Sequence, residues 1–331
     1  MNEIPVSVLD LATIVEGDTP SDSFRKSMEL AQTAEKLGYN RYWFAEHHNM
    51  ENIASSATSV LIGYIAGGTS RIRVGSGGVM LPNHAPLVIA EQFGTLESLH
   101  PGRIDLGIGR APGTDPLTSN ALRRNLRGSV DDFPQDVIEL RDYLGPKDNT
   151  SRVRAIPGEG TNVPIWLLGS STYSAQLAAA LGLPFAFASH FAPTYLYGAL
   201  KIYRQNFTPS AQLQKPYSMA CVNVIAADTN EEAQQLATSF YMLAMGIVTG
   251  KRKPLQPPVK SMKGLWSEYE EAAVMQMMQF SFVGDQQTVK EKIQSFLERT
   301  DVDEIMIASH IYHNAAKIRS YEIVARAFGK E

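Results

Sequence analysis

Short apolar runs alternate with amphipathic segments along almost the whole chain. From Phe24 to Leu37, apolar residues recur every three or four positions, the spacing of one helix face, and Gly38 follows where a helix would end. The apolar runs predict strands at residues 6–9, 41–45, 71–74, 103–108, 164–168, 184–188, 218–226 and 304–308. The amphipathic segments predict helices at 24–37, 55–67, 87–99, 133–144, 173–181, 194–207, from Thr229 onward, 288–299 and 315–328.

Eight strand–helix units in succession predict parallel strands in an α/β fold. We expect a closed (β/α)8 barrel formed by one domain over residues 1–331, with an open doubly wound sheet of two domains as the alternative. The chain is about 80 residues longer than a minimal barrel of about 250. The surplus falls at residues 111–163, after strand four, and 241–287, after strand seven, where long insertions commonly act as lids over an active site.

The composition of the chain bears on its binding partners and on its cellular setting. Apolar residues make up 44% of the chain, charged residues 19%, and the net charge is −4, which favours neither nucleic acid nor an anionic membrane as a partner. Cys221 is the only cysteine and lies in an apolar strand, so we expect a core residue and a reducing, cytoplasmic setting. No signal peptide and no apolar run long enough to span a membrane are expected.

The second strand runs directly into three ionisable residues, Glu46-His47-His48. The carboxyl ends of barrel strands carry the active site in this fold class. Adjacent residues of an extended chain point to opposite sides, so His47 and His48 would not reach one metal ion together. We therefore predict no metal site here and favour a catalytic or ligand-binding histidine, while a metal ligand and a histidine in a solvated loop remain the alternatives.

Small residues follow three further strands. The run Gly75-Ser76-Gly77-Gly78 permits close approach of a flat ligand to the backbone, or is simply a tight turn. Arg110 follows strand four and offers a fixed cation for phosphate, although a surface salt bridge would explain it as well. The turn Ser170-Ser171-Thr172 opens a helix, where free N–H groups favour an anion and hydroxyls also act as caps. Arg110 and this turn lie on neighbouring strands, so together they predict a phosphate pocket.

Two more histidines, His190 and His310, follow strands six and eight. Both would face the same end of the barrel as Glu46-His47-His48. Each is as compatible with a structural role as with a contact to a ligand, so we treat them as secondary candidates.

Five motifs are spread over nearly the whole chain. They are Ala45-Glu46-His47-His48, Gly77-Gly78-Val79-Met80-Leu81-Pro82, the stretch from Gly102 to Arg110, Leu168-Gly169-Ser170-Ser171 and the stretch from Gly284 to Val289. With these motifs in this order, the chain resembles the bacterial luciferase-like flavin monooxygenases.

The resemblance implies a barrel that uses reduced FMN and O2. His47 corresponds to the luciferase histidine implicated in catalysis beside the flavin, and Gly77-Gly78 to a cis peptide on which the flavin ring rests. The phosphate binders correspond to Arg110, Ser171 and Ser174. The segment after strand seven corresponds to a mobile active-site loop, and helices 55–67 and 87–99 to the dimer interface of family members.

Luciferase itself is not matched, because Gly109 stands where luciferase has a cysteine at the mouth of strand four. Light emission from a long-chain aldehyde is therefore not implied.

The resemblance implies a homodimeric FMN-dependent monooxygenase supplied with reduced flavin by a separate NAD(P)H:flavin reductase, and we expect it to be cytoplasmic. His47 is the catalytic candidate, and Glu46 and His190 are expected near the cofactor. An F420-dependent hydride-transfer enzyme and a non-catalytic flavin-binding protein are the alternatives. The sequence does not indicate which small organic molecule is the substrate.

Overall fold

A computed structural model describes residues 4–111, 115–122, 132–148 and 150–330. Its strands are β1 Val6–Asp10, β2 Arg41–Phe44, β3 Arg73–Met80, β4 Ile104–Gly109, β5 Ile165–Gly169, β6 Phe185–Phe187, β7 Ser218–Ala226, β8 Ser281–Gly284 and β9 Glu304–Ala308. Its helices are α1 Pro20–Lys36, α2 Thr58–Gly67, α3 Pro86–Leu99, α4 Pro116–Leu122, α5 Phe133–Leu144, α6 Thr172–Leu181, α7 Leu196–Gln205, α8 Asn230–Val248, α9 Glu268–Met277, α10 Gln286–Thr300 and α11 Asn314–Ala327.

The strands close into a parallel barrel. Strands β1 to β7 pair in chain order, β7 then pairs with β9, and β9 pairs with β1. Because the ring closes through β6–β7 and β1–β9, the (β/α)8 prediction is confirmed and the open-sheet alternative is wrong. Strand β8 lies outside the ring and pairs with the last four residues of β7. It was not predicted from the sequence.

Apolar side chains pack both inside the barrel and around it. Inside the barrel, Trp43 and Trp166 meet edge to face with ring centroids 5.2 Å apart, and Cys221 packs in the same layer. Burial raises the pKa of the Cys221 thiol, as expected of a core cysteine. A second layer fills the space between the strands and the surrounding helices. Among the described residues, no helix is both long enough and apolar enough to cross a lipid bilayer.

An ionic cluster joins the strands at the amino end of the barrel. Arg41 Nη1 lies 2.7 Å from Asp105 Oδ2, and its Nε lies 3.1 Å from Glu304 Oε1. Arg73 approaches Asp105 from the other side, at 2.6 Å. Both carboxylates are completely buried. Asp105 has two arginine partners but Glu304 is paired through Arg41, so the loss of Arg41 would leave the Glu304 charge unpaired in the core, at a cost of about 3–5 kcal/mol. The charged residues at the amino end of the barrel therefore stabilise the fold. The functional residues are expected at the opposite, carboxyl end.

Candidate active site

A cavity of about 540 Å³ opens at the carboxyl end of the barrel, and we call it the mouth cavity. The ends of strands β1 to β7 and part of α8 surround it. Nearly all the residues predicted from the sequence line this one cavity: His47, Gly77, Gly78, Arg110, Ser171, Ser174, His190 and His310. Glu46 and His48 do not line it, and Glu46 lies in the wall behind the lining.

One side of the mouth cavity is built to receive an anion. Arg110 lies over the ring of Tyr173, with its Cζ 4.1 Å from the ring centroid, and this contact orients the guanidinium. Ser171 holds the N-cap position of α6, yet its hydroxyl makes no capping hydrogen bond. Ser174 is buried in the first turn of the same helix. We call the group of Arg110, Ser171, Ser174 and the amino end of α6 the anion corner.

The anion corner depends on a glycine. A Cβ on Gly169 would lie 2.2 Å from Ser174 Oγ and 2.5 Å from Ser174 Cβ. Only glycine therefore lets the first turn of α6 settle against the end of β5.

The floor of the mouth cavity is bare backbone. The peptide bond between Gly77 and Gly78 is cis, as the family resemblance implied. The two glycines form a bulge in β3, because Ser76 pairs with Leu106 while Val79 pairs with Ile108. A Cβ on Gly78 would lie 2.7 Å from the carbonyl oxygen of Gly107, so β3 and β4 approach each other more closely than side chains would permit. The result is a side-chain-free surface on which a planar group can lie.

Two neutral histidines face the interior of the mouth cavity. Burial, and then the proximity of His310 and His47, lowers the pKa of His190 to about 3. Burial, and then the charge of Lys317, lowers the pKa of His310 to about 4. Both rings are therefore uncharged near neutral pH and can accept or donate a hydrogen bond.

Several polar atoms of the cavity wall lack a partner. Within the part of the chain that the structure describes, Nδ1 of His190, Nδ1 of His310 and Oδ1 of Asn223 are buried without a hydrogen bond. Asn223 is held in place by its amide, which donates to the carbonyl oxygen of His190 at 2.6 Å. Buried polar atoms are rarely left unsatisfied, so these three indicate contacts that a bound molecule would complete.

Behind the wall, Glu46 joins two loops. Its Oε1 lies 2.9 Å from His48 Nε2 and 2.8 Å from His84 Nε2, and we call these three residues the acid–histidine cluster. Burial raises the pKa of Glu46, but the hydrogen bonds and charge of the two histidines outweigh it and hold the pKa below its ordinary value. His48 therefore turns away from the cavity that His47 lines, as strand alternation predicts.

The three ligand atoms of the acid–histidine cluster lie within 4.8 Å of one another, which is compatible with a metal ion. The hydrogen bonds to Glu46 account for the same contacts without one. Since Glu46 does not line the cavity, its predicted part in cofactor binding would act through the loops that it joins.

Comparison with known proteins identifies the family of the chain. A family model described as luciferase-like monooxygenase matches residues 4–304. The chain belongs to the luciferase-like monooxygenase family. A luciferase-like monooxygenase of Escherichia coli strain K12 is 55% identical over 97% of this chain and 96% of its own. N-acetyl-S-alkylcysteine monooxygenase of Bacillus subtilis is 33% identical over 98% of each chain, and the crystal structure of apo-MsnO8 matches 99% of each chain with a TM-score of 0.89 and 35% identity.

More distant structures share the barrel of this luciferase-like oxidoreductase. One is the oxygenating constituent of 3,6-diketocamphane monooxygenase from Pseudomonas putida in complex with FMN, with a TM-score of 0.73 and 19% identity over 98% of this chain and 97% of that one. Another is an F420-dependent secondary alcohol dehydrogenase, with a TM-score of 0.69 and 14% identity over 98% and 99%. Identities this low show the fold alone.

The candidate site also contains residues that the sequence did not single out. His84 completes the acid–histidine cluster, and Asn52, Asn223 and Arg252 line the mouth cavity. Among these, only His84 had a local signal, since it follows the family motif that ends at Pro82. Part of the predicted insertion at 111–163 lies outside the described residues, whereas residues 241–287 contribute several side chains to the cavity wall.

Proposed function

We propose that this enzyme is an FMN-dependent monooxygenase that receives reduced FMN from a separate NAD(P)H:flavin reductase. Reduced FMN, when bound, would supply the electrons and react with O2 to oxygenate a small organic substrate. The observation that carries the proposal is the combination of an anion corner and a bare glycine floor in one cavity of about 540 Å³. A phosphate and a flat ring need these two surfaces side by side.

Each candidate residue then has a physical task. Arg110, Ser171 and Ser174 would bind the phosphate through charge-assisted hydrogen bonds and the amino end of α6. The Gly77–Gly78 backbone would support the ring. His190 would satisfy its buried Nδ1 on a polar edge of the ring or of the substrate. His47 lines the same cavity and would hold or transfer a proton beside the reacting atoms.

Flavin affinity tests the proposal directly. Arg110→Met removes the charge and keeps an apolar stem over Tyr173. The loss of hydrogen bonds to a charged phosphate costs about 1.5–3 kcal/mol, so the Kd for FMN should rise by about 10- to 150-fold, whereas the Kd for riboflavin should change little. Arg25→Met, on the exposed side of α1, is the matched control. Absence of micromolar FMN binding to the wild-type protein would refute the proposal.

His47 is tested by kinetics. His47→Asn should leave FMN binding within a few-fold and slow the reaction of the FMNH2-loaded protein with O2 by about 10²–10⁴-fold, the usual contribution of a general acid or base. The measurement is a stopped-flow record of flavin absorbance after mixing with O2. A wild-type time course would remove His47 from the mechanism.

Two other functions use the same barrel. An F420-dependent hydride-transfer enzyme would reduce F420 anaerobically with a substrate and consume no O2. A non-catalytic flavin-binding protein would bind FMN and show no flavin-dependent O2 consumption with any substrate. Anaerobic F420 reduction and O2 uptake, measured on the same preparation, separate these functions from the one proposed.

A homodimer formed by α2 and α3 is part of the proposal. These helices expose Val60, Tyr64, Val88 and Leu99, of which Val60 is 69% exposed. A set of exposed apolar side chains on neighbouring helices favours a protein interface. Val60→Lys should shift the sedimentation of the protein from dimer to monomer, whereas Val153→Lys, at an exposed position outside these helices, should not.

The single buried cysteine fits a cytoplasmic location, which we also propose.

A further inference from the structure

Away from the anion corner, the mouth cavity has an apolar wall with a second cation at its rim. The side chains of the apolar wall are Phe240, Leu243, Ile247 and Met277. The cation is Arg252, which is exposed and lines the same cavity. Among the described residues that line the cavity there is no aspartate or glutamate. The lining therefore combines apolar surface with positive charge.

Backbone contacts hold Arg252 at this rim. Gly246 in α8 allows the chain to fold back over the helix, because a Cβ there would lie 2.9 Å from the carbonyl oxygen of Lys251. Gly250 makes the turn with a φ of +72°. Leu255 then donates from its N–H to the carbonyl oxygen of Ile14 at 3.0 Å, which ties the segment to the loop after β1. Arg252 is thus carried on a segment that is anchored at both ends.

Arg252 has no ion pair within the described part of the chain. The neighbouring Lys251, by contrast, interacts electrostatically with Glu270 in the first turn of α9. A guanidinium that borders a largely apolar cavity without a carboxylate is suited to an anion brought by a ligand. The phosphate of FMN already has the anion corner, which leaves Arg252 for the second molecule in the site.

We infer that the substrate is an amphiphilic anion, an apolar chain that ends in a carboxylate. Its chain lies against the apolar wall, and its carboxylate binds Arg252 at the rim. The opposite end of the chain is then directed into the barrel, toward the glycine floor. Amines and other cationic substrates are excluded by the same charge. The inference rests on the proposed function, because it assigns the anion corner to FMN.

A pair of probes of equal length tests the inference. FMN-loaded protein is titrated with octanoate and with 1-octanol, and binding is followed by calorimetry and by the change in the visible flavin spectrum. Octanoate should bind about tenfold more tightly than octanol, the effect of a hydrogen bond to a charged group. Raising the salt concentration should reduce this preference, because the cation is exposed.

Variants assign the preference to one side chain. Arg252→Met keeps the length of the chain and should remove the preference for octanoate, with octanol affinity and the Kd for FMN within a factor of two of the wild type. Lys253→Met removes an adjacent exposed charge that does not line the cavity, and it should leave all three affinities unchanged.

Several results would overturn the inference. They are equal affinities for octanoate and octanol, no octanoate binding at all, or a loss of FMN affinity in Arg252→Met as large as that in Arg110→Met. The last result would assign Arg252 to the flavin phosphate. A wild-type protein that binds no FMN refutes the proposed function instead, and the same two titrations on the flavin-free protein then still decide whether Arg252 selects a carboxylate.

Discussion

The clearest structural test of the anion corner is the substitution Gly169→Ala. The new methyl group would lie 2.5 Å from Ser174 Cβ, about 1 Å closer than an ordinary contact between two carbon atoms. A rotation of the Ser174 hydroxyl relieves its 2.2 Å contact but not the contact with Cβ. The first turn of α6 must therefore move by about 1 Å away from the end of β5.

This displacement has two expected costs. Overpacking of this kind lowers the free energy of unfolding by about 1–3 kcal/mol. A shift of about 1 Å also breaks the hydrogen bonds of Ser174 and the helix end to a phosphate, which are worth about 1.5–3 kcal/mol. The Kd for FMN should therefore rise by about 10- to 150-fold. Riboflavin lacks the phosphate, so its Kd should rise only a few-fold.

Flavin fluorescence titrations with FMN and with riboflavin provide the measurement, and urea denaturation gives the change in stability. Gly198→Ala in α7 is the control. An added Cβ there has no atom within 4 Å, and Gly198 does not line the mouth cavity. An equal loss of affinity for FMN and riboflavin in Gly169→Ala, or no loss for either, would refute the assignment of the phosphate to α6.

The remaining predictions concern charge in the cavity wall. His310 has a pKa of about 4 when folded, against about 6.5 when unfolded, so the unfolded chain takes up the proton first and stability falls as the pH drops from 6.5 toward 4. At pH 5 this loss is about 2 kcal/mol, so the fall in the free energy of unfolding between pH 7 and pH 5, measured by urea denaturation, should be about 2 kcal/mol smaller in His310→Gln than in the wild type. A loss remains in the variant, because the pKa of His190 is also lowered, to about 3, and His190 is present in both proteins. Equal losses in the two proteins would contradict the prediction. Glu46→Gln removes the charge that holds His48 and His84 and should lower the free energy of unfolding by about 1.5–3 kcal/mol. Asp228→Asn removes an exposed carboxylate that pairs with Arg319 and should change it by less than about 1 kcal/mol. If the two variants have the same urea midpoint, the acid–histidine cluster contributes no more to stability than an exposed ion pair does.

The barrel was predictable because each apolar strand and amphipathic helix is recognised from its own residues, and because this pair of elements is repeated along the chain. The limits of β7 and β9 agree with the predicted strands at 218–226 and 304–308, and α5 agrees with the predicted helix at 133–144. Strand β3 was predicted to end at residue 74 but continues to Met80, because the glycines remain in the sheet as a bulge. Strand β8 was missed because four residues between two helices have too short a pattern to stand out, and they become a strand by pairing with the last four residues of β7.

Only those residues of the candidate site that follow a predicted strand could be predicted from the sequence. His47, Arg110, Ser171 and His190 each follow a predicted strand, and parallel strands bring such residues to one end of the barrel. Arg252 could not be found in this way, because its position depends on Gly246 and on a backbone pairing with the loop after β1.

The position of His310 has a consequence for the order in which the protein matures. This residue follows the last strand, and that strand closes the ring by pairing with the first. A ribosome-bound chain that has not yet released residue 310 therefore lacks one wall of the mouth cavity, although the anion corner and the glycine floor are already synthesised. If flavin occupies this cavity as proposed, its stable binding should consequently begin only after residue 310 has been synthesised and β9 has paired with β1.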